Sequence, residues 1–120
     1  MTGRSSKAVL KPRFRIVRGR DVVLGPGKVE LLELLVETGS LSETARRLRM
    51  SYMRAWTLVR TMNQCFREPV AVGERGGKRG GGMKVTVTGH RVLALYKEME
   101  SAALTSARPA WENLQKLVRG

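Results

Sequence analysis

The sequence predicts one α+β domain, mainly α, in which a short hairpin precedes three helices and a second hairpin precedes a long last helix. Three observations support this fold class. Apolar residues recur at helical spacing in four segments, and Pro26, Gly39 and Pro69 mark three of the breaks around them. The 120 residues, 42% of them hydrophobic, suffice for one domain with a modest core.

The chain begins with a basic segment. Residues 1–20 contain seven Lys or Arg and no Asp or Glu, and we expect residues 1–11 to form a flexible basic arm. An Arg-rich, acid-free start also fits an organelle transit peptide. The alternation from Phe14 to Val17 favours a strand instead, paired with 22–24 across Gly19-Arg20-Asp21.

Three helices are predicted next. Pro26 suits the first turn of a helix that runs from Lys28 to near Gly39 and carries a broad apolar face opposite its glutamates. Segment 40–43, Ser-Leu-Ser-Glu, fits a capping box in which the Ser caps a second helix and the Glu reaches back to it. Ser51 caps a third helix after the turn at Arg49-Met50.

A hairpin and a last helix complete the predicted domain. Strands 70–72 and 83–86 flank a Gly-rich, basic segment, and Thr88 caps a helix that continues toward Leu104. Pro109 is expected to break this helix, which gives a domain over 12–105 and a helical tail over 106–120.

The order of these elements is that of a winged helix-turn-helix with a basic Gly-rich wing and a long C-terminal helix. In that architecture the recognition helix, here about 51–63, lies in the major groove of DNA. The wing, here 73–83, lies on the backbone or in the minor groove, where glycines permit close approach and cations neutralise phosphates.

Composition narrows the function classes. The chain has 23 Lys or Arg against 10 Asp or Glu, a net charge of +13, which points to DNA, RNA or an anionic membrane surface as partner. No apolar stretch reaches the ~18 residues that span a bilayer. Cys65 is the only cysteine and His90 the only histidine, which excludes an internal disulfide and a Cys-rich zinc site. The glycine-rich segment does not match the nucleotide-binding P-loop pattern, because Val72 stands where that pattern requires Gly and Arg79 where it requires Ser or Thr. We therefore expect no enzyme activity, metal or cofactor.

Two motifs resemble the molybdate-dependent regulator (ModE) family. These are segment 40–48 with Ser51-Tyr52-x-x-Ala55-Trp56, and the run 76–82, Gly-Gly-Lys-Arg-Gly-Gly-Gly, followed by a strand. LysR-type regulators share the architecture but not these motifs. The resemblance covers about residues 13–105 and implies a homodimeric, cytoplasmic, nucleoid-associated bacterial transcription factor that binds double-stranded DNA. Full-length members carry C-terminal oxyanion-binding domains, for which 120 residues leave no room, so no direct molybdate binding is expected.

The candidate DNA contacts lie on the second and third helices and on the wing. Arg54 is the first candidate for bidentate contact with guanine; holding a phosphate is its alternative role. Lys78 and Arg79 are favoured on the wing because they occupy its tip. Trp56 is expected to pack and Cys65 to be inert. The full set is Ser42, Thr44, Arg47, Ser51, Tyr52, Met53, Arg54, Thr57, Arg60, Arg75, Lys78, Arg79 and Lys84.

A homodimer is expected through the first and last long helices. The apolar residues on these helices exceed what a small core needs, although all of them can also be internal core; they are Val29, Leu32, Val36, Val92, Leu95 and Met99. The alternative to sequence-specific regulation is a non-sequence-specific nucleoid or RNA-binding winged-helix protein.

Overall fold

A computed structural model describes residues 7–74 and 82–119. Its elements are β1 (Ile16–Arg18), β2 (Asp21–Leu24), α1 (Pro26–Thr38), α2 (Leu41–Arg47), α3 (Tyr52–Cys65), β3 (Ala71–Glu74), β4 (Gly82–Val85) and α4 (Val87–Gln115). The two antiparallel hairpins, β1–β2 and β3–β4, form separate sheets. The predicted fold class is confirmed: three helices stand between two hairpins, and a long helix follows.

The core lies where α1, α2 and α3 meet. Leu31, Leu32 and Leu35 of α1 are essentially fully buried, and they join Leu41 of α2 and Met62 of α3 in one apolar cluster. Helical periodicity puts these residues on the inner faces, so their burial supplies most of the drive to pack the helices together.

The turn between α2 and α3 is a Schellman-type C-cap. Arg49 has a left-handed backbone with φ 58°, and its N–H donates to the carbonyl of Arg46 at 3.1 Å. The Met50 N–H donates to the carbonyl of Ala45 at 3.0 Å. The Ser51 Oγ then accepts from the Arg54 N–H at 3.0 Å and starts α3 as predicted. This sharp turn fixes the angle at which α3 leaves α2.

The capping box at 40–43 is only half formed. The Ser40 Oγ accepts from the Glu43 N–H at 3.1 Å, as predicted. The predicted return bond from Glu43 is wrong, because the Ser40 N–H donates to the Thr38 Oγ1 at 3.1 Å. The Glu43 carboxylate is taken by Arg46 and Arg47 instead.

The start of α4 differs from the prediction. Thr86, not Thr88, is the cap: its Oγ1 accepts from the Gly89 N–H at 3.0 Å and donates to the Pro69 carbonyl at 2.6 Å. The first turn of α4 packs directly on the chain before β3, since a Cβ on Gly89 would lie 2.2 Å from the Val70 carbonyl oxygen. Only glycine fits there.

Pro109 does not break the last helix. The α4 helix runs for 29 residues through Pro109, about 43 Å at the usual rise, and crosses the boundary expected at 105/106. Proline removes one N–H and crowds the preceding turn. The surrounding residues are exposed, so solvent can hydrate the carbonyl left without a donor. Residues 7–10 line a groove with this distal half of α4, while residues 1–6 of the expected arm lie outside the described part.

Candidate nucleic-acid interface

The outer face of α3 carries most of the candidate contacts. Ala55, Val59 and Met62 are buried, as the helical spacing predicts. The five candidates on the other face are all exposed: Tyr52, Met53, Arg54, Thr57 and Arg60. Tyr52 and Met53 are 48% and 62% exposed, so apolar as well as charged residues face solvent at the start of α3.

Trp56, which is expected to pack rather than to contact DNA, lies at the edge of this face. Its side chain is 38% exposed, and the Arg60 guanidinium lies 5.5 Å from the ring centroid, a cation–π contact. A position next to Ala55 on the helix lies at the edge of the buried face, so helical spacing alone does not decide its burial. The contact holds the Arg60 charge above the outer face of α3.

Asn63 fastens the base of the β3–β4 hairpin to α3, a role that the sequence analysis missed. Its Nδ2 donates to the Ala71 carbonyl at 2.9 Å, and its Oδ1 accepts from the Val70 N–H at 2.8 Å. A side-chain amide has both a donor and an acceptor, so one Asn can bond a backbone N–H and a backbone carbonyl of the same strand region. An amide side chain near the C-terminal end of α3, a few residues before the predicted strand 70–72, was the available sequence indication.

The base of the wing is also tied to the turn between α1 and α2. The Met83 N–H donates to the Gly39 carbonyl at 3.1 Å, and Ser40 forms an isolated bridge with Gly82. The strands pair in register from Ala71↔Val85 to Glu74↔Gly82. Lys84 is exposed on β4, whereas the candidates Arg75, Lys78 and Arg79 lie outside the described residues.

Two of the three candidate DNA contacts on α2 already have partners within the domain. Thr44 is fully buried and its Oγ1 lies 2.9 Å from the Thr38 Oγ1, so the prediction of a phosphate contact by this side chain is wrong. Arg47 donates to Glu37 at 2.9 Å and to Glu43 at 3.1 Å, an ion pair that competes with phosphate. Ser42 is exposed in the first turn of α2.

The ion pairs around Glu43 shift its ionisation. Hydrogen bonds from Arg46 and Arg47 lower the pKa of Glu43 from 4.5 to about 2. Neither arginine is therefore a free cation, in contrast to Arg54, which forms no ion pair among the described residues.

The apolar residues expected at a dimer interface divide into two groups. Val29 and Leu32 are buried inside the domain, so the expectation that they face a partner is wrong. Val36, Leu95 and Met99 are 46%, 44% and 40% exposed. Leu95 and Met99 line an apolar recess of about 180 Å³, whose lining also includes the half-buried Val92.

Comparison with known proteins agrees with the motifs. The chain is 32% identical over 97 residues to the molybdenum transport protein ModE of Azotobacter vinelandii, covering 81% of this chain and 36% of that protein. It is 38% identical over 78 residues to the molybdenum-pterin-binding protein MopB of Rhodobacter capsulatus, covering 65% and 29%. The DNA-binding transcriptional dual regulator ModE of Escherichia coli matches at 35% identity over 71 residues, covering 59% and 27%. The resemblance to the ModE family is confirmed.

The ModE-like match has a defined extent. The chain spans about a third of the length of the first two relatives. No protein-family model matches it. The crystal structure of ArgP from Mycobacterium tuberculosis aligns with a TM-score of 0.48 at 24% identity, covering 72% of this chain and 31% of that one. These relatives are named as regulators, transport proteins or binding proteins, in agreement with the prediction that the chain is not an enzyme. In the described part of the chain, no helix combines the length and apolar character needed to cross a bilayer.

Proposed function

We propose that this chain is the DNA-binding part of a transcriptional regulator, with α3 in the major groove and the β3–β4 wing on the adjacent backbone or minor groove. One arrangement carries the proposal: an exposed α3 face bearing Arg54, Trp56 and Arg60 is bonded through Asn63 to a basic Gly-rich hairpin. Because α3 and the β3–β4 hairpin are bonded to each other, α3 can lie in the major groove of DNA while the hairpin contacts the adjacent backbone.

Electrostatics favour a polyanion as partner. A net charge of +13 on 120 residues attracts phosphates without regard to sequence. Neutralising each phosphate releases counterions, so the logarithm of affinity falls with the logarithm of salt by about 0.9 per contact. Sequence discrimination comes from the α3 side chains that reach base edges, with Arg54 first because Arg bonds guanine bidentately.

The finer proposal is a homodimer that forms through α4 and works in the cytoplasm on the nucleoid. The exposed apolar residues Leu95 and Met99 support it, because a second copy of α4 packed on this recess would remove their apolar surface from water. Two recognition helices then reach half-sites about one helical turn, ~34 Å, apart. The relatives' names concern molybdenum, and a molybdate response is tested separately below.

In vitro selection of bound duplexes from a random library tests this function. We expect a symmetric motif that is bound at least ~10³-fold more tightly than random duplex. Structured RNA serves as the competitor in a parallel selection. If no duplex outcompetes random DNA, or if RNA is preferred, the chain is a general nucleoid or RNA-binding protein instead.

A further inference from the structure

A groove on the side of α3 away from the wing brings three cations together. The groove, about 290 Å³ in volume, lies between the N-terminal half of α3, the start of α1 and the β1–β2 hairpin. Arg15 precedes β1, Lys28 belongs to the first turn of α1, and Arg54 belongs to the first turn of α3. These three residues are far apart in sequence and only the fold makes them neighbours.

The remaining lining of the groove is small or apolar. Its other residues are Val22, Gly25, Pro26, Gly27, Met50 and Leu58, and no carboxylate lines it. Among the described residues, none of the three cations forms an ion pair, whereas Arg46, Arg47 and Lys97 all do. On the adjoining elements, the β1–β2 hairpin carries the exposed Asp21 beside Arg18 and Arg20, and α1 carries Glu30, Glu33 and Glu37; none of these acids lines the groove.

The chain holds the ammonium of Lys28 and the backbone of Arg54 in place. Lys28 is half-buried and its ammonium donates to the Val22 carbonyl, which leaves two of its three donors free. The Ser51 Oγ accepts from the backbone N–H of Arg54 and so fixes the start of α3, from which the Arg54 side chain extends. Three unpaired cations around one groove repel each other, and an anion bound among them removes that cost.

We infer that this groove binds phosphates of the DNA strand beside the segment read by α3, so that the β1–β2 hairpin is a second backbone clamp opposite the wing. The inference rests on the proposed function. The N-terminal residues of a recognition helix contact base edges in the major groove, so the neighbours of Arg54 face the phosphates at the rim of that groove. The α3 helix is then gripped on both sides, by the β3–β4 wing near Arg60 and by Arg15 and Lys28 near Arg54.

The test compares charge-neutral variants in duplex binding. Arg15→Gln, Lys28→Gln and the double variant are measured by fluorescence anisotropy over a range of salt concentrations. Lys116→Gln with Arg119→Gln is the matched control, since it removes the same two charges from exposed residues beyond α4. Circular dichroism and Tm verify folding, and Arg15→Gln, on an exposed irregular segment, keeps the test valid if Lys28→Gln unfolds.

We expect the double variant to lower the salt slope by about 1.8, or 0.9 per lost phosphate, and the control to leave the slope unchanged. The ratio of specific to random binding stays constant, because phosphate contacts carry no sequence information. The variant Lys28→Arg, which keeps the positive charge that Lys28→Gln removes, should have the salt slope of the wild type. Folded variants that bind like the control overturn the inference while the proposed function stands; a wild-type chain that binds no duplex removes both.

A calorimetric titration with inorganic phosphate and with molybdate separates a DNA phosphate from a free oxyanion. We expect no saturable heat with either ion. A saturable heat that the double variant loses would assign the groove to a free oxyanion and would overturn the DNA-clamp inference.

Discussion

At the scale of single residues, Arg54 links the two parts of the proposed interface. It is exposed, it lies in the first turn of α3, and it lines the cationic groove. Arg54→Ala is expected to relax discrimination at one base pair by about 1–3 kcal/mol, because a bidentate pair with guanine is lost. Competition by duplexes altered one base pair at a time measures this. Arg54→Lys separates the roles: it preserves a phosphate contact but not bidentate recognition.

Thr44 was predicted to contact a phosphate, but it is buried and its hydroxyl bonds to Thr38. Thr44→Val keeps the shape of the side chain and removes the hydroxyl that bonds to Thr38. We expect a loss of about 1 kcal/mol in the free energy of unfolding and no change in DNA affinity. Urea denaturation measures the stability and fluorescence anisotropy measures the DNA affinity, with Thr105→Val, the same change at an exposed position of α4, as control. Weaker binding at unchanged stability would instead restore the phosphate contact.

Glu43 gives the domain a pH dependence in acid. Its folded pKa of about 2 lies below its ordinary 4.5, so the folded state binds a proton less readily than the unfolded state. The stabilisation is complete above pH 4.5 and is lost as pH falls toward 2. Tm measured between these limits should fall more for the wild type than for Glu43→Gln. Equal slopes for the two proteins would show that the ion pairs with Arg46 and Arg47 are absent in solution.

Sequence patterns predicted the direction of side chains better than their partners. The burial of Ala55, Val59 and Met62 follows from a period of 3.6 residues, which is a local property. The fate of Thr44 and Arg47 depends on how closely the end of α1 approaches α2, since Thr38 and Glu37 supply their partners. No local pattern contains that distance.

At the scale of elements, caps were predictable where the sequence singles out one candidate. Ser51 has no other Ser or Thr within five residues, and Ser40 stands three residues before Glu43 in the capping-box pattern although Ser42 lies close by; both cap. Before α4 the chain reads Val85-Thr86-Val87-Thr88, and either Thr suits a cap. The choice is made by the hairpin: the Thr86 N–H donates to the Val70 carbonyl at 3.0 Å, which ends the strand there.

The two threonines provide a matched pair of variants. Thr86→Ala removes the cap on Gly89 and the bond to the Pro69 carbonyl, and we expect a loss of about 1–2 kcal/mol of stability. Thr88→Ala, inside the first turn of α4, should change stability by less than about 0.5 kcal/mol. Thermal and urea unfolding of both variants measure this. A larger effect at Thr88 would favour the cap that the sequence alone predicted.

At the scale of the whole molecule, the order of elements predicted the fold class, and the net charge supports the proposed polyanionic partner. Neither predicts the groove of Arg15, Lys28 and Arg54, because its members come from three elements whose packing is set by the core. The sequence also does not predict which cations form ion pairs. Among the described residues, Arg46 and Arg47 are paired with carboxylates, whereas Arg54 is not. Net charge therefore indicates a polyanion, and the fold decides which cations meet it.

If two chains pair through α4, their two α3 helices bind the two halves of a palindromic DNA site. Binding of a palindrome then depends on the apolar surface of α4, which is remote from α3. Leu95→Glu with Met99→Glu places two carboxylates in the exposed recess, so pairing of two such surfaces would bury unpaired charge. We expect a folded monomer by sedimentation equilibrium and a loss of about 10²-fold or more in affinity for a palindrome, with half-site affinity retained. Ser101→Glu, exposed on α4 and about 200° around the helix from Met99, is the control and should remain dimeric. A double variant that binds palindrome and half-site as the wild type does would place the dimer contact elsewhere in the chain.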